Sequence, residues 1–315
     1  MTDVQRRFGI FSSFFLALIF IGFFQSWNVA LGIFNLCLIS ATMALGVNIQ
    51  LGYAGIFNAG VMGFAALGGL SAVLISYPPV SETIKLGGKG ILFAFIILAV
   101  GSAIITFIYK SNQSNRFKKI TIPLVILILL VLFNFIGSPA IKRVEAFEPA
   151  ATGFLGGLGL PILFSWLVGG ILAGFVAYFI GKITLGLRSD YLAIATLGIA
   201  EVIIYFLKNE NWLTRGVKNV NGLPRPVPYE VDLQGNKWFI EICERYNFPL
   251  IETSSIVVKI SYCLLFSGVL ITLFILSEIA LKSPWGRMMR AIRDNEVAAE
   301  AMGKDVKSRH LQVFI

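Results

Sequence analysis

The chain has 315 residues, of which 57% are hydrophobic and only 14% charged. Soluble domains run near a quarter charged, so this composition excludes an ordinary soluble globule and points to an all-α polytopic transmembrane bundle. The net charge of +9 comes from basic residues that flank apolar runs, which marks orientation in a lipid bilayer and argues against nucleic-acid binding.

Taken in chain order, eight apolar runs are long enough to cross ~30 Å of hydrocarbon, at roughly 8–25, 29–49, 55–76, 91–109, 120–137, 160–181, 191–207 and 256–279. They do not alternate in the manner of barrel strands. Arg6 and Arg7 precede the first run, which is long for a signal peptide and has no small-residue cleavage site behind it, so it reads as an uncleaved span. Lys110, Arg116, Lys118 and Lys119 follow the fourth run, Lys182 and Arg188 the sixth, and Lys282, Arg287, Arg290 and Arg293 the eighth. With eight crossings these groups share one side. The alternate connections carry mixed charge, and 208–255 balances six basic against six acidic residues. The positive-inside rule then places the N-terminus and residues 280–310 in the cytoplasm and 208–255 outside.

Cys37 and Cys263 lie in apolar runs and Cys243 in a polar loop, so no disulfide framework emerges. With His310 as the single histidine, neither a metal site nor a cofactor is expected. No phosphate-binding glycine loop occurs, so any ATP hydrolysis belongs to a separate subunit.

Three stretches carry the functional reading. Residues 48–69 hold Gly52, Gly55, Gly60, Gly63, Gly68 and Gly69, with Asn48 and Asn58 as polar groups at membrane depth. Close helix packing by small residues is one reading. A broken or re-entrant element lining a solute path is the other. Residues 187–201 include Tyr191 and Thr196 and end on Glu201, the single acid well inside an apolar run. That carboxylate serves either a packing hydrogen bond or a function in the path. One such acid is few for an ion-coupled carrier.

Residues 283–303 form the third stretch. Pro284 starts a helix with Met288, Ala291 and Ile292 on one face, and Asp294 or Asn295 caps a second short helix, Glu296–Met302, that Gly303 ends. The first helix suits an anionic lipid surface. The second, with Glu296, Glu300, Ala298, Ala299 and Ala301, suits a protein groove. Gly222–Pro226 and the Asp232, Gly235, Asn236 and Trp238 region read as surface turns. His310–Ile315 opens a further apolar stretch, so the chain is expected to be a C-terminally truncated fragment.

These residues carry a resemblance. Asn48–Gly69 is similar to the Asn-Leu-x-x-Gly-x-x-Gly-x-x-Ser-x-Gly-His-Ala-Ala-Phe pattern of branched-chain amino acid ABC transporter permeases of the LivM type, with Asn58 in place of Ser and Val61 in place of His. Asp190–Gly198 resembles the family's Gly-x-Tyr-Leu-Ala-Ile-Ala-Thr-Leu, and Ser283–Gly303 its corresponding segment almost residue for residue. Gly222–Pro226 resembles a shortened form of its external Gly-Leu-x-x-Ile-Pro region. Residues 79–158 read as a two-span insertion relative to short members.

The resemblance implies a single permease domain over 1–315 that forms half of a translocation pathway in the inner membrane of a prokaryote, and does no covalent chemistry. It implies a second homologous permease, two cytoplasmic ATP-binding subunits and an extracytoplasmic substrate-binding protein as partners. It implies a path lined by Asn48, Gly52, Gly55, Asn58, Gly60, Tyr191, Thr196 and Glu201. It implies an ATPase-coupling segment carrying Arg290, Arg293, Asp294, Glu296, Ala298, Ala299, Glu300 and Gly303. An ion-coupled carrier of small polar solutes, or a non-transporting assembly subunit, are the rival expectations.

Overall fold

A computed structural model describes residues 3–111, 114–148 and 152–315. Among these the regular structure is helical, without a β-strand, and an isolated bridge pairs Pro79 with Gly156. The helices are α1 (Asp3–Phe24), α2 (Trp27–Asn48), α3 (Val61–Ser76), α4 (Ser81–Thr83), α5 (Lys89–Lys110), α6 (Asn115–Ala146), α7 (Ile162–Thr184) and α8 (Ser189–Asn209). They continue with α9 (Asn211–Thr214), α10 (Glu230–Gln234), α11 (Lys237–Arg245), α12 (Leu250–Lys282), α13 (Pro284–Asp294), α14 (Glu296–Ala301) and α15 (Val306–Phe314). Two π-helical turns, Ile49–Tyr53 and Ile84–Gly88, extend α2 and join α4 to α5.

Six of the described helical stretches are long and apolar enough to cross a membrane: Trp27–Tyr53, Ser81–Lys110, Arg116–Ala146, Ile162–Thr184, Asp190–Asn209 and Leu250–Lys282. The chain is a multi-pass helical membrane protein. Two of the eight expected runs are shorter apolar helices, Phe8–Phe24 and Val61–Ser76. The second begins at Val61, six residues later than the expected span 55–76. Residues 55–60 lie outside the helix, which is about 24 Å long at 1.5 Å per residue, less than the hydrocarbon thickness.

The chain divides into two compact units. The first contains Met1–Val61, Ala177–Leu197 and Arg225–Ile315. Its axis is the pairing of α2 with α12. Asn35 Nδ2 donates to the Lys259 carbonyl at 3.0 Å, and Lys259 Nζ reaches back to the Asn28 carbonyl at 2.8 Å. Lys259 lies inside an apolar span, and the backbone carbonyl replaces part of the hydration its ammonium loses there. Within 208–255, expected as an external loop, residues 230–245 carry the short helices α10 and α11. Asn236 caps α11 by accepting from Trp238 N, while Phe239 and Cys243 turn inward.

The second unit contains Met62–Val176 and Gly198–Pro224. Here α5 and α6, the two helices of the expected insertion, pack along a seam of small residues. At Gly87, Gly90 and Gly101 an added Cβ would collide with Val144, Ala140 or Leu129. The pair is anchored on Trp212, which is buried with Ile91, Ala140 and Val144 and donates its backbone N–H to Glu145. The last carbonyls of α3 are taken by an incoming strand-like segment: Leu158, Gly159 and Leu160 donate to Leu74, Tyr77 and Ile75.

Candidate functional site: the helix break and the segment beneath it

The site grows from the end of α2. The helical run continues through the π-turn and ends at Ala54, because Gly55 has a left-handed φ of +72°, and residues 55 to 60 are irregular backbone. The helical run is therefore broken within 48–69. A Cβ at Gly52 would stand 2.5 Å from Asn48 Oδ1, the far end of an exposed side chain that would have to turn away. Asn48 itself is exposed on α2 and borders an open groove of about 510 Å³ with Ala41, Ala44, Leu270, Ile271 and Phe274.

The irregular backbone after the break is held by side chains. Asn58 is buried; its Oδ1 accepts from Gly60 N at 2.9 Å, and its Nδ2 donates to Gln50 Oε1 at 3.1 Å. Gln50 Nε2 in turn donates to the Phe314 carbonyl at 3.3 Å. Ala59 N donates to Thr196 Oγ1 at 3.1 Å, and that hydroxyl donates to the Ala193 carbonyl at 3.0 Å. The structure thus brings Gly52, Gly55, Asn58, Gly60 and Thr196 into one polar junction. It places Tyr191 and Glu201 on exposed faces of α8, whereas Thr196 is buried. No side-chain hydrogen bond or ion pair among the described residues holds Glu201.

Replacing Thr196 by Val keeps the shape and strands the Ala59 N–H. An unpaired buried donor costs about 1–3 kcal/mol. The expected result is a Tm lower by several degrees and faster thiol labelling of an Ile56→Cys probe, at present 3% exposed, in a background lacking the native cysteines.

Below the break lies the 283–303 segment. Pro284 occupies the first turn of α13, and Asn295 caps α14 by accepting from Ala298 N at 2.9 Å. Gly303, with φ +75°, closes the segment while its N–H and that of Lys304 return to the carbonyls of Glu300 and Ala299. The expected apolar face of α13 is corrected. The buried positions are Gly286, Met289 and Ile292, whereas Ala291 is exposed and Met288 only half-buried. Gly286 sets this rotation by letting α13 fold back onto the Leu281 backbone.

The coupling candidates divide by direction. Arg290 turns to the corner, with Nε and Nη2 each 3.5 Å from the carbonyls of Gly286 and Leu281. Arg293 donates to the Gly52 carbonyl at 2.6 Å and to Asp294 Oδ1 at 3.0 and 2.8 Å. Ala299 is buried within the chain. Glu296, Ala298 and Glu300 point outward, together with two residues the sequence reading passed over, Val297 at 76% and Met302 at 80% exposure.

A family model described as the permease component of branched-chain amino acid transport systems matches residues 141–315, more than half of the chain. The chain belongs to that family. The high-affinity branched-chain amino acid transport system permease protein LivM of Escherichia coli (strain K12) is 27% identical over 151 residues, 47% of this chain and 35% of that protein. LivM of Salmonella typhimurium (strain LT2) is 26% identical over 138 residues, 42% of this chain and 32% of that protein. The matched part of the chain thus spans about a third of the length of these relatives. No solved structure matches.

The match takes in α8, the break's partner Thr196, and everything from α12 to α15. The last of these permease elements, α15, docks where Gly181 leaves room for Leu311 and Phe314. His310 on α15 has a buried Nε2 without a hydrogen-bond partner. Burial holds its pKa below the usual 6.5, and the Glu296 carboxylate opposes that shift in part. The folded state therefore binds fewer protons than the unfolded one, so docking is strongest above that ordinary value and weakens as pH falls through it. Hydrogen exchange across 306–314, corrected for intrinsic rates, is expected to be faster at about pH 5.5 than at about pH 7.5, and His310→Gln is expected to flatten the difference.

Proposed function

We propose that this permease forms half of the translocation pathway of an ATP-driven importer for branched-chain or related amino acids. It works by alternating access and leaves the chemistry of ATP to other subunits. The observation that carries the reading is the α13–α14 corner. A short helix, capped at both ends, directs Glu296, Val297, Ala298, Glu300 and Met302 away from the chain directly behind a membrane span. Such a shape suits the groove of a soluble partner.

The assembly proposed is this chain, a second homologous permease, two cytoplasmic ATP-binding subunits and an extracytoplasmic binding protein, in the inner membrane. The N-terminus and residues 280–310 are cytoplasmic by the distribution of Lys and Arg. The break at 49–60 and Tyr191 of α8 line the path. A charged carboxylate at mid-bilayer costs about 2.5–3.5 kcal/mol in lipid, which favours a wet path or a partner surface beside Glu201.

The test is uptake of radiolabelled leucine by proteoliposomes holding the complete complex and its binding protein. ATP inside the vesicles is expected to drive uptake that survives an uncoupler. Uptake that follows an ion gradient without ATP establishes the ion-coupled reading instead.

A further inference from the structure

We propose that Arg293 is a positioning residue that ties the coupling segment to the helix break, and that it does not dock on a soluble partner. The proposal rests on the reading above and deepens it.

The π-turn leaves its last carbonyls exposed to competition. Ile56 N goes to the Gln50 carbonyl and Gly55 N to that of Leu51, so the Gly52 carbonyl is left as an orphan of the helix end. Arg293 Nη1 supplies the missing donor at 2.6 Å, across 241 residues of sequence. Its stem runs against Gly55, where a Cβ would stand 3.0 Å from Arg293 Cγ. Its Nε and Nη2 both donate to Asp294 Oδ1, which fixes the plane of the guanidinium. Three donors of the fork are therefore spent inside the chain, and the group is poorly free to reach a neighbour.

A second tie runs parallel to the first. The Phe314 carbonyl accepts from Gln50, and Gln50 accepts from Asn58. The cytoplasmic segment thus grips the break at Gly52 through α13 and at Gln50 through α15. A shift of α13 is passed to residues 52–55 by a charge-assisted bond to backbone, without travelling along α12.

The experiment uses the reconstituted complex and reads three quantities. They are leucine uptake per ATP hydrolysed, copurification of the ATP-binding subunits, and the nucleotide dependence of thiol labelling at Ile56→Cys. In Arg293→Ala, uptake per ATP is expected to fall about tenfold, labelling is expected to lose its nucleotide dependence, and the ATP-binding subunits still copurify. Arg293→Lys, which keeps the charge and one donor, recovers part of the ratio.

A static helix cap would lower stability without moving uptake per ATP, and an unchanged ratio overturns the proposal. Loss of the ATP-binding subunits from Arg293→Ala shows a docking residue and overturns it too. Should Arg293→Ala not insert, Arg293→Lys carries the test alone, with a fall of threefold or more expected and an unchanged ratio decisive against. Uptake by the unaltered complex that needs no ATP defeats the parent reading, a result separate from either of these.

Discussion

Val297→Asp is expected to cut ATP-driven leucine uptake by tenfold or more while the permease inserts and folds normally. Val297, on the six-residue helix α14, and Met302, the residue that follows it, are large apolar side chains left almost fully exposed. Burying one such side chain in a partner contributes about 1.5–3 kcal/mol, which is tenfold to over a hundredfold in affinity. An aspartate adds the cost of a desolvated charge to that loss. The measurement is copurification of the ATP-binding subunits from detergent, set beside uptake. Ala301→Asp, on the same exposed helix, is the companion variant. If Val297→Asp retains its partners and its uptake, this helix is not the docking surface.

Gly286→Val is expected to misplace the whole 283–303 segment. A Cβ at Gly286 would overlap the Leu281 backbone, which no rotamer change relieves. Overpacking against backbone costs about 1–3 kcal/mol or more. Met289 and Ile292, at 0% and 1% exposure, would leave their contacts as α13 swings out. The expected readout is protein at normal abundance in the membrane, new protease cleavage within 283–303, and uptake reduced at least tenfold. Wild-type cleavage and uptake would show that the corner tolerates a different path.

Much of the fold was legible because hydrocarbon imposes a length. Long apolar runs have few alternatives in a bilayer, and six of the eight expected crossings stand as long helices. The break was legible as a cluster of glycines but not as a register. Which carbonyls a π-turn orphans depends on hydrogen bonds that composition does not encode. Pro284, Asn295 and Gly303 were legible in kind because caps act locally, within three or four residues.

What depended on distant contacts was not legible. The inward face of α13 is centred on Met289 and was misread because one edge of it is Gly286, a residue that periodicity does not count as apolar. Ala299 was expected on the docking face and is buried in its own chain. Lys259 passed unnoticed inside the eighth run because its ammonium reaches an Asn28 carbonyl on another helix. Arg293 looked like an outward charge, and nothing near it in sequence points to Gly52.

The caps on α14 carry a kinetic consequence. Six residues do not hold a helix in water by themselves, because nucleation is costly. Asn295 at one end, Gly303 at the other and the inward Ala299 impose the shape beforehand. A partner that meets a finished helix loses little conformational entropy on capture. Association and release can then both be fast at a given affinity, which is what the proposed nucleotide-driven cycle would require of its hinge pin.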